Sequence, residues 1–254
     1  MLIKTEFGQN KYWYSSSYEV LTSVINYSVE SPYELHDALI QLNNLGCQLV
    51  QIRLLGFTDI EKIINQLNPI KTSRIKTVEF FINFEKFDIS ELIELAKFDS
   101  RVFLNICNNN NKTIIHEKKN EYLNVRVINI PLMPYIDEII NPVSFICNIE
   151  LFMESLKYNV GVNRKVSIDL DGGIKNFVNH SIKYGNIQTE KIENIIKLDE
   201  FKKKWFISND KIEKCKNCQY RYMCISNSDI EEINNKYFKT KTCNFNPYEN
   251  IWIQ

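Results

Sequence analysis

Between Ser31 and Asn109 amphipathic stretches alternate with short apolar runs, and this rhythm restricts the chain to an α/β fold with buried parallel strands. Ser31-Pro32 reads as a helix N-cap with proline in the first helical position. Leu35, Leu39, Leu42 and Leu45 then recur at helical spacing up to Gly46, where the helix should end. Leu49 to Leu55 is expected as a strand, and Asp59 to Leu67 as a helix with Ile60, Ile63 and Ile64 on one face. The alternation continues with a strand at Thr77 to Ile82, a helix at Ile89 to Ala96 and a strand at Arg101 to Ile106. Asn108 to Lys112 is a polar loop, and Val125 to Ile130 and Val143 to Ile149 are further strand candidates. Roughly four or five βα-like units thus precede residue 160, fewer than the eight of a closed barrel. A partial (β/α) barrel or a small open sheet is the expected architecture.

The character changes near residue 165. Val166 to Leu170, the group Asp171-Gly172-Gly173, and Ile174 to Val178 read as a β-hairpin with glycine supplying the positive φ of its turn. A domain boundary is placed just before it, giving domains over 1–160 and 165–254. Lys191 to Phe206 reads as a helix with lysines on its exposed face. With 254 residues, 44% of them hydrophobic, the chain can bury a core, which excludes a disordered protein. Basic and acidic residues both total 31, so no global field draws it to nucleic acid or to an anionic membrane. Met1 to Glu6 lacks the apolar core of a secretory signal, and no apolar run approaches a membrane span. Together with seven cysteines, an odd number, this points to a reducing cytoplasm where thiols serve metals or chemistry.

Four of those cysteines lie in the last forty residues. Cys215 and Cys218 are separated by two residues, Cys224 follows after five more, and Cys243 after a further eighteen. A CxxC turn lets two sulfurs approach one centre while backbone N–H groups point at them, and two further thiolates complete a tetrahedral set. Four cysteines serve a [4Fe-4S] cluster or a structural zinc, and spacing alone does not separate the two. Cys47, Cys107 and Cys147 stand alone beside apolar runs and read as small buried hydrophobes. His36, His116 and His180 lie far apart, without metal-ligand spacing, and read as structural or exposed. Asp169 and Asp171 read as turn-shaping residues, with no catalysis assigned to them.

The stretch Ser167 to Asn176, then Tyr184-Gly185-Asn186-Ile187, the Cys215 run with Arg221-Tyr222, and Cys243 to Tyr248 resemble the SPASM-domain peptide maturases of the grasp-with-spasm peptide systems. Glu6-Phe7-Gly8 and Ser31-Pro32 through Gly46-Cys47 resemble them more loosely. The resemblance implies a degenerate radical-SAM-like partial barrel over 1–160 followed by a SPASM domain over 165–254. It also implies an ATP-grasp peptide ligase and a ribosomal precursor peptide as partners, and a second auxiliary cluster held by Cys215, Cys218, Cys224 and Cys243. The first auxiliary cluster of that family would need cysteines where this chain has Phe177, near Glu190, and at Asn227 or Ser228. Loss of one site beside retention of the other favours one [4Fe-4S] cluster over zinc.

Radical S-adenosylmethionine enzymes need a CxxxCxxC loop that leaves one iron free for the cofactor, and no such spacing occurs here. No S-adenosylmethionine is therefore expected, nor any glycine-rich phosphate loop that would encode the ligase activity itself. The expected role is binding, as an accessory or maturase-like protein in ribosomal peptide modification. An iron-sulfur redox protein and a zinc-stabilised interaction module are the alternatives.

Overall fold

The computed structural model describes residues 18–56, 59–83, 89–107, 124–128, 132, 145–241 and 243–253. Strands β1 (Thr22–Tyr27), β2 (Leu49–Leu54), β3 (Thr77–Asn83), β4 (Val102–Cys107) and β5 (Val125–Ile128) lie side by side in chain order, all parallel. The chain then returns to the other side of β1, where β6 (Lys165–Ile168) pairs in parallel with it. Strands β7 (Gly173–Lys175) and β8 (Gly185–Asn186) extend the sheet antiparallel. The eight strands run in the order β5-β4-β3-β2-β1-β6-β7-β8, so the sheet is open and mostly parallel. One hydrogen-bonded sheet continues across the boundary expected near residue 165.

Helices α1 (Leu35–Asn44), α2 (Ile60–Gln66), α3 (Asn68–Thr72) and α4 (Ile89–Lys97) connect the first four strands, α5 (Ile149–Ser155) precedes β6, and α6 (Ile192–Ile196) and α7 (Asp199–Lys203) follow β8. Alternate strand residues such as Ile25, Ile52, Phe80, Leu104 and Ile168 form one core with Leu39, Ile63, Leu95, Ile195 and Phe201 from the helices. Each such side chain contributes about 1.5–3 kcal/mol by leaving water, which is why the helices adhere to this face. The intervening residues turn to the opposite face and are mainly polar: Asn26, Arg53, Glu79, Asn105 and Ser167. Among the described residues no helix is long and apolar enough to cross a membrane.

Several local expectations shift by a few residues for identifiable reasons. Helix α1 begins at Leu35 after Glu34, and Ser31-Pro32 lies outside it. Ser31 Oγ instead accepts the Ser28 N–H in a turn (3.0 Å), while the first N–H of α1, that of Leu35, is capped by Gln66 Oε1 from α2 (2.6 Å). The other end matches the reading: Gly46 N–H reaches Asn43 O (3.0 Å) and Cys47 N–H reaches Leu42 O (3.0 Å), a Schellman closure with Gly46 at φ 82°. Residues 145–148 form no strand, because Asn148 Oδ1 accepts the Leu151 N–H (2.7 Å) and starts α5; residues 143 and 144 lie outside the described residues.

The helix expected over 191–206 is divided into α6, α7 and a 3-10 turn at Lys204–Phe206, because Leu198 adopts extended backbone (ψ 133°) and sends Phe201 and Trp205 into the core. Its lysines are not all exposed: Lys204 is buried against Asp229. The hairpin of β6 and β7 closes as read, with Gly172 at φ 81°. Asp171 Oδ1 accepts the Gly173 N–H (3.0 Å) and shapes that turn, whereas Asp169 is buried, its Oδ2 bonded to Lys175 Nζ (2.9 Å). Cys47 and Cys107 are buried, and burial pushes the Cys47 thiol up to about 12. Cys147 is exposed, contrary to the reading, because its segment precedes α5 on the surface. His36 is half-buried and His180 buried; His116, the loop 108–112 and Glu6-Phe7-Gly8 lie outside the described residues.

Candidate metal centre

The four C-terminal cysteines come from three segments pinned by two small hairpins. Strands β9 (Ile230–Ile233) and β10 (Lys236–Lys239) pair antiparallel, and Tyr237 accepts the Glu213 N–H (2.8 Å), which places the Cys215 turn against β10. Lys214 takes positive-φ γ-turn backbone (φ 67°, ψ −51°), closed by Cys215 N–H to Glu213 O (2.8 Å), to enter that turn. The 3-10 turn Cys215–Asn217 then closes through Cys218 N–H to Cys215 O (2.9 Å), the compact bend that a CxxC pair needs. Cys215 packs on a satellite core of Ile207, Ile212 and Ile230.

The second segment, from Cys218 to Cys224, is held by Arg221. Its guanidinium donates to Asp210 Oδ1 (2.8 Å), Cys218 O (2.9 Å) and Tyr222 Oη (3.0 Å), and lies 4.2 Å from the Tyr222 ring centroid. Asn209 Nδ2 fixes the far end of the loop by donating to Arg221 O (2.7 Å) and Cys224 O (3.4 Å). The third segment carries Cys243, followed by strands β11 (Phe245–Asn246) and β12 (Ile251–Trp252), which pair antiparallel. Lys214 Nζ donates to Cys243 O (2.6 Å) and ties this segment back to the Cys215 turn. Aromatic packing closes the lobe: Tyr220 lies 4.9 Å from Phe245 and 4.7 Å from Phe145, ring centre to ring centre.

The other three thiols each act electrostatically on Cys215. Burial pushes the Cys215 thiol up; the Lys239 ammonium opposes this, and Cys224, Cys218 and Cys243 each push it further up. Burial also raises Cys218, an N–H from Tyr220 opposes it, and Cys224 and Cys243 raise it again. Cys243 Sγ receives the Phe245 N–H (3.4 Å). Such N–H···S bonds and a nearby cation favour thiolates, while mutual repulsion prevents four bare thiolates from coexisting. A bound cation would remove that repulsion, and an all-sulfur donor set suits zinc or iron-sulfur chemistry. The donor set therefore fits such a group chemically. Its sulfurs are not drawn to ligand distance: among the described residues no three His, Cys, Asp or Glu side chains converge closely enough to hold an ion.

Sequence reasoning identified the four cysteines but not the supports around them. Lys214, Asn209 and Lys239 carry no local motif, since each acts on a residue distant in sequence. Two positions discussed for a first cluster do meet in space: Lys165 Nζ donates to Asn227 Oδ1 (2.5 Å) and lies 5.1 Å from the Phe177 ring centroid. No family model, curated protein or solved structure matches the chain.

Proposed function

We propose that this chain is a SPASM-type accessory protein of a ribosomal peptide modification system. In this reading the parallel sheet is a degenerate radical-SAM-like partial barrel. The C-terminal lobe holds one [4Fe-4S] cluster on Cys215, Cys218, Cys224 and Cys243, and the protein acts with an ATP-grasp ligase on a precursor peptide in the cytoplasm. The observation that carries the reading is the spacing of the four cysteines, whose segments are tied to one another by the hydrogen bonds from Glu213 N–H to Tyr237 O and from Lys214 Nζ to Cys243 O. Phe177 and Asn227, which flank Lys165, support it further, since the family would place first-cluster ligands at such positions. When bound, the cluster would cross-link the lobe and provide one-electron capacity. The chain's own residues supply the thiolates, the N–H groups of Tyr220 and Phe245 that steady two of them, and the hydrogen bond from Lys214 that holds the Cys243 segment in place. Without CxxxCxxC, cleavage of S-adenosylmethionine forms no part of the activity.

The test is metal and sulfide analysis with an absorption spectrum on protein purified without oxygen. About four irons and four sulfides per chain, with absorption near roughly 400 nm, is the expected result. One zinc and no colour would leave a zinc-stabilised interaction module and no electron-transfer role. Cys224→Ser should abolish metal uptake and Cys107→Ser should leave it intact; equal behaviour would refute the ligand set. Formation of 5′-deoxyadenosine above background by the reduced protein would overturn the non-radical assignment.

A further inference from the structure

The polar face of the sheet carries a second constellation, independent of the cysteines. At the carboxyl ends of the parallel strands, Asn105, Phe81, Arg53 and Asn26 form one row across β4, β3, β2 and β1. Asp169 and Lys175 close the row on the hairpin side. The strand order reverses about β1 here: β2 lies on one side of it and β6 on the other, all three parallel. Such switch points in open α/β sheets are where ligands bind, outside the carboxyl ends of the strands.

Arg53 is the anomaly in this row. It is only 8% exposed, its Nη1 is buried without a hydrogen-bond partner, and no described carboxylate pairs with it. The adjacent carboxylate, Asp169, is engaged by Lys175 at 2.9 Å and by Asn26 at 3.2 Å. Around the guanidinium stand the Phe177 ring, at 5.9 Å, and the Cys107 thiol, which burial keeps protonated. Ser167 Oγ, one position lower on the same face, is also buried without a partner among the described residues. A guanidinium offers five donors in a planar fork, and burying one uncompensated is among the costlier arrangements a fold can hold. Lysine would serve a purely electrostatic role; the fork suits a planar, bidentate anion.

We propose that this end of the sheet is an oxyanion-binding site in which Arg53 receives a carboxylate of the ligand. One uncompensated positive charge suits a carboxylate better than a doubly charged phosphate. The site lies on the sheet and needs no metal, so it stands or falls separately from the cysteine lobe.

The protein is titrated at constant ionic strength with N-acetylglycine, which carries one carboxylate, with inorganic phosphate, and with chloride as control, and the thermal midpoint is read. A saturable rise with N-acetylglycine and none with chloride is expected. Arg53→Met should raise the ligand-free midpoint, by roughly 2–4 °C, because it removes a buried unpaired charge, and should abolish the ligand-induced rise. Arg53→Lys should fold and bind at least tenfold more weakly. A lower ligand-free midpoint in Arg53→Met would make the guanidinium a structural group and overturn the proposal. So would a ligand-induced rise that survives in that variant, or the absence of any saturable rise in the unmutated protein. A rise with phosphate alone would overturn the carboxylate assignment.

Discussion

Acidification should weaken this fold through one buried imidazole. His180 is almost fully enclosed; its Nε2–H donates to Asn227 O (3.0 Å), so its Nδ1 presents a lone pair towards Asp229 Oδ1, 3.5 Å away. Lys204 already neutralises Asp229 (2.5 Å), and its charge together with that of Lys165 opposes a further cation. Burial first, and these lysines second, hold the His180 pKa down at about 4, from 6.5, against the attraction of Asp229 and the hydrogen bond to Asn227. The unfolded chain then binds more protons between these values, so stability is fully present above pH 6.5 and is lost as pH falls towards 4. The loss is about 2 kcal/mol at pH 5 and approaches about 3 kcal/mol near pH 4. Urea unfolding at a series of pH values from 7.5 to 4.5 measures it, with the midpoint falling by about 1 M at pH 5 for a slope near 2 kcal/mol per M. His180→Gln keeps a donor for Asn227 O and removes the titration. An equal pH slope in the variant and the unmutated protein would refute the reasoning, as would a flat profile for the unmutated protein.

Gly161→Ala should cost about 1–3 kcal/mol, because the new Cβ would lie 2.0 Å from Ser226 O and 2.7 Å from its carbonyl carbon, both backbone atoms. Gly56→Ala, where the new Cβ would meet only Ser28 Cβ at an ordinary 3.9 Å and the strain comes from a left-handed φ of 82°, should cost about 1–2 kcal/mol, and the two are compared by urea unfolding. Lys175→Met should lose about 3–5 kcal/mol at neutral pH by leaving the Asp169 carboxylate buried without its lysine. Its deficit should shrink on mild acidification as Asp169 protonates, and adding Asp169→Asn should restore part of the loss at neutral pH.

The legibility of this fold in its sequence divides along a physical line. Helix and strand periods, the Gly46 closure and the Gly172 turn all depend on residues within one or two turns of each other. Strand β1 has no clear sequence signal although it is central to the sheet: Ser23 and Asn26 are fully buried in it, and with Thr22 they make three polar residues in six, which blurs an apolar run. The start of α1 was misplaced because its cap is Gln66, thirty-one residues from Leu35. Burial of Lys204 could not be read locally either, since its partner Asp229 lies twenty-five residues away.

The cysteine spacing is legible as the proposed donor set, because residue type and separation alone limit which sulfurs can meet. That Cys243 and Cys224 share a neighbourhood with Cys215 was decided by the β9 and β10 hairpin, the Arg221 clamp and the Lys214 hydrogen bond. The polar row around Arg53 has no sequence signature, since its members come from separate strands and meet only through parallel register. The sequence by itself determined the βα rhythm and the spacing of the cysteines proposed as donors, because periodicity and short spacing act within a few residues of the chain. The return of β6 to β1, the partners of the buried charges and the isolation of Arg53 were decided by the tertiary structure, because each depends on which distant segments the packing of the core brings together.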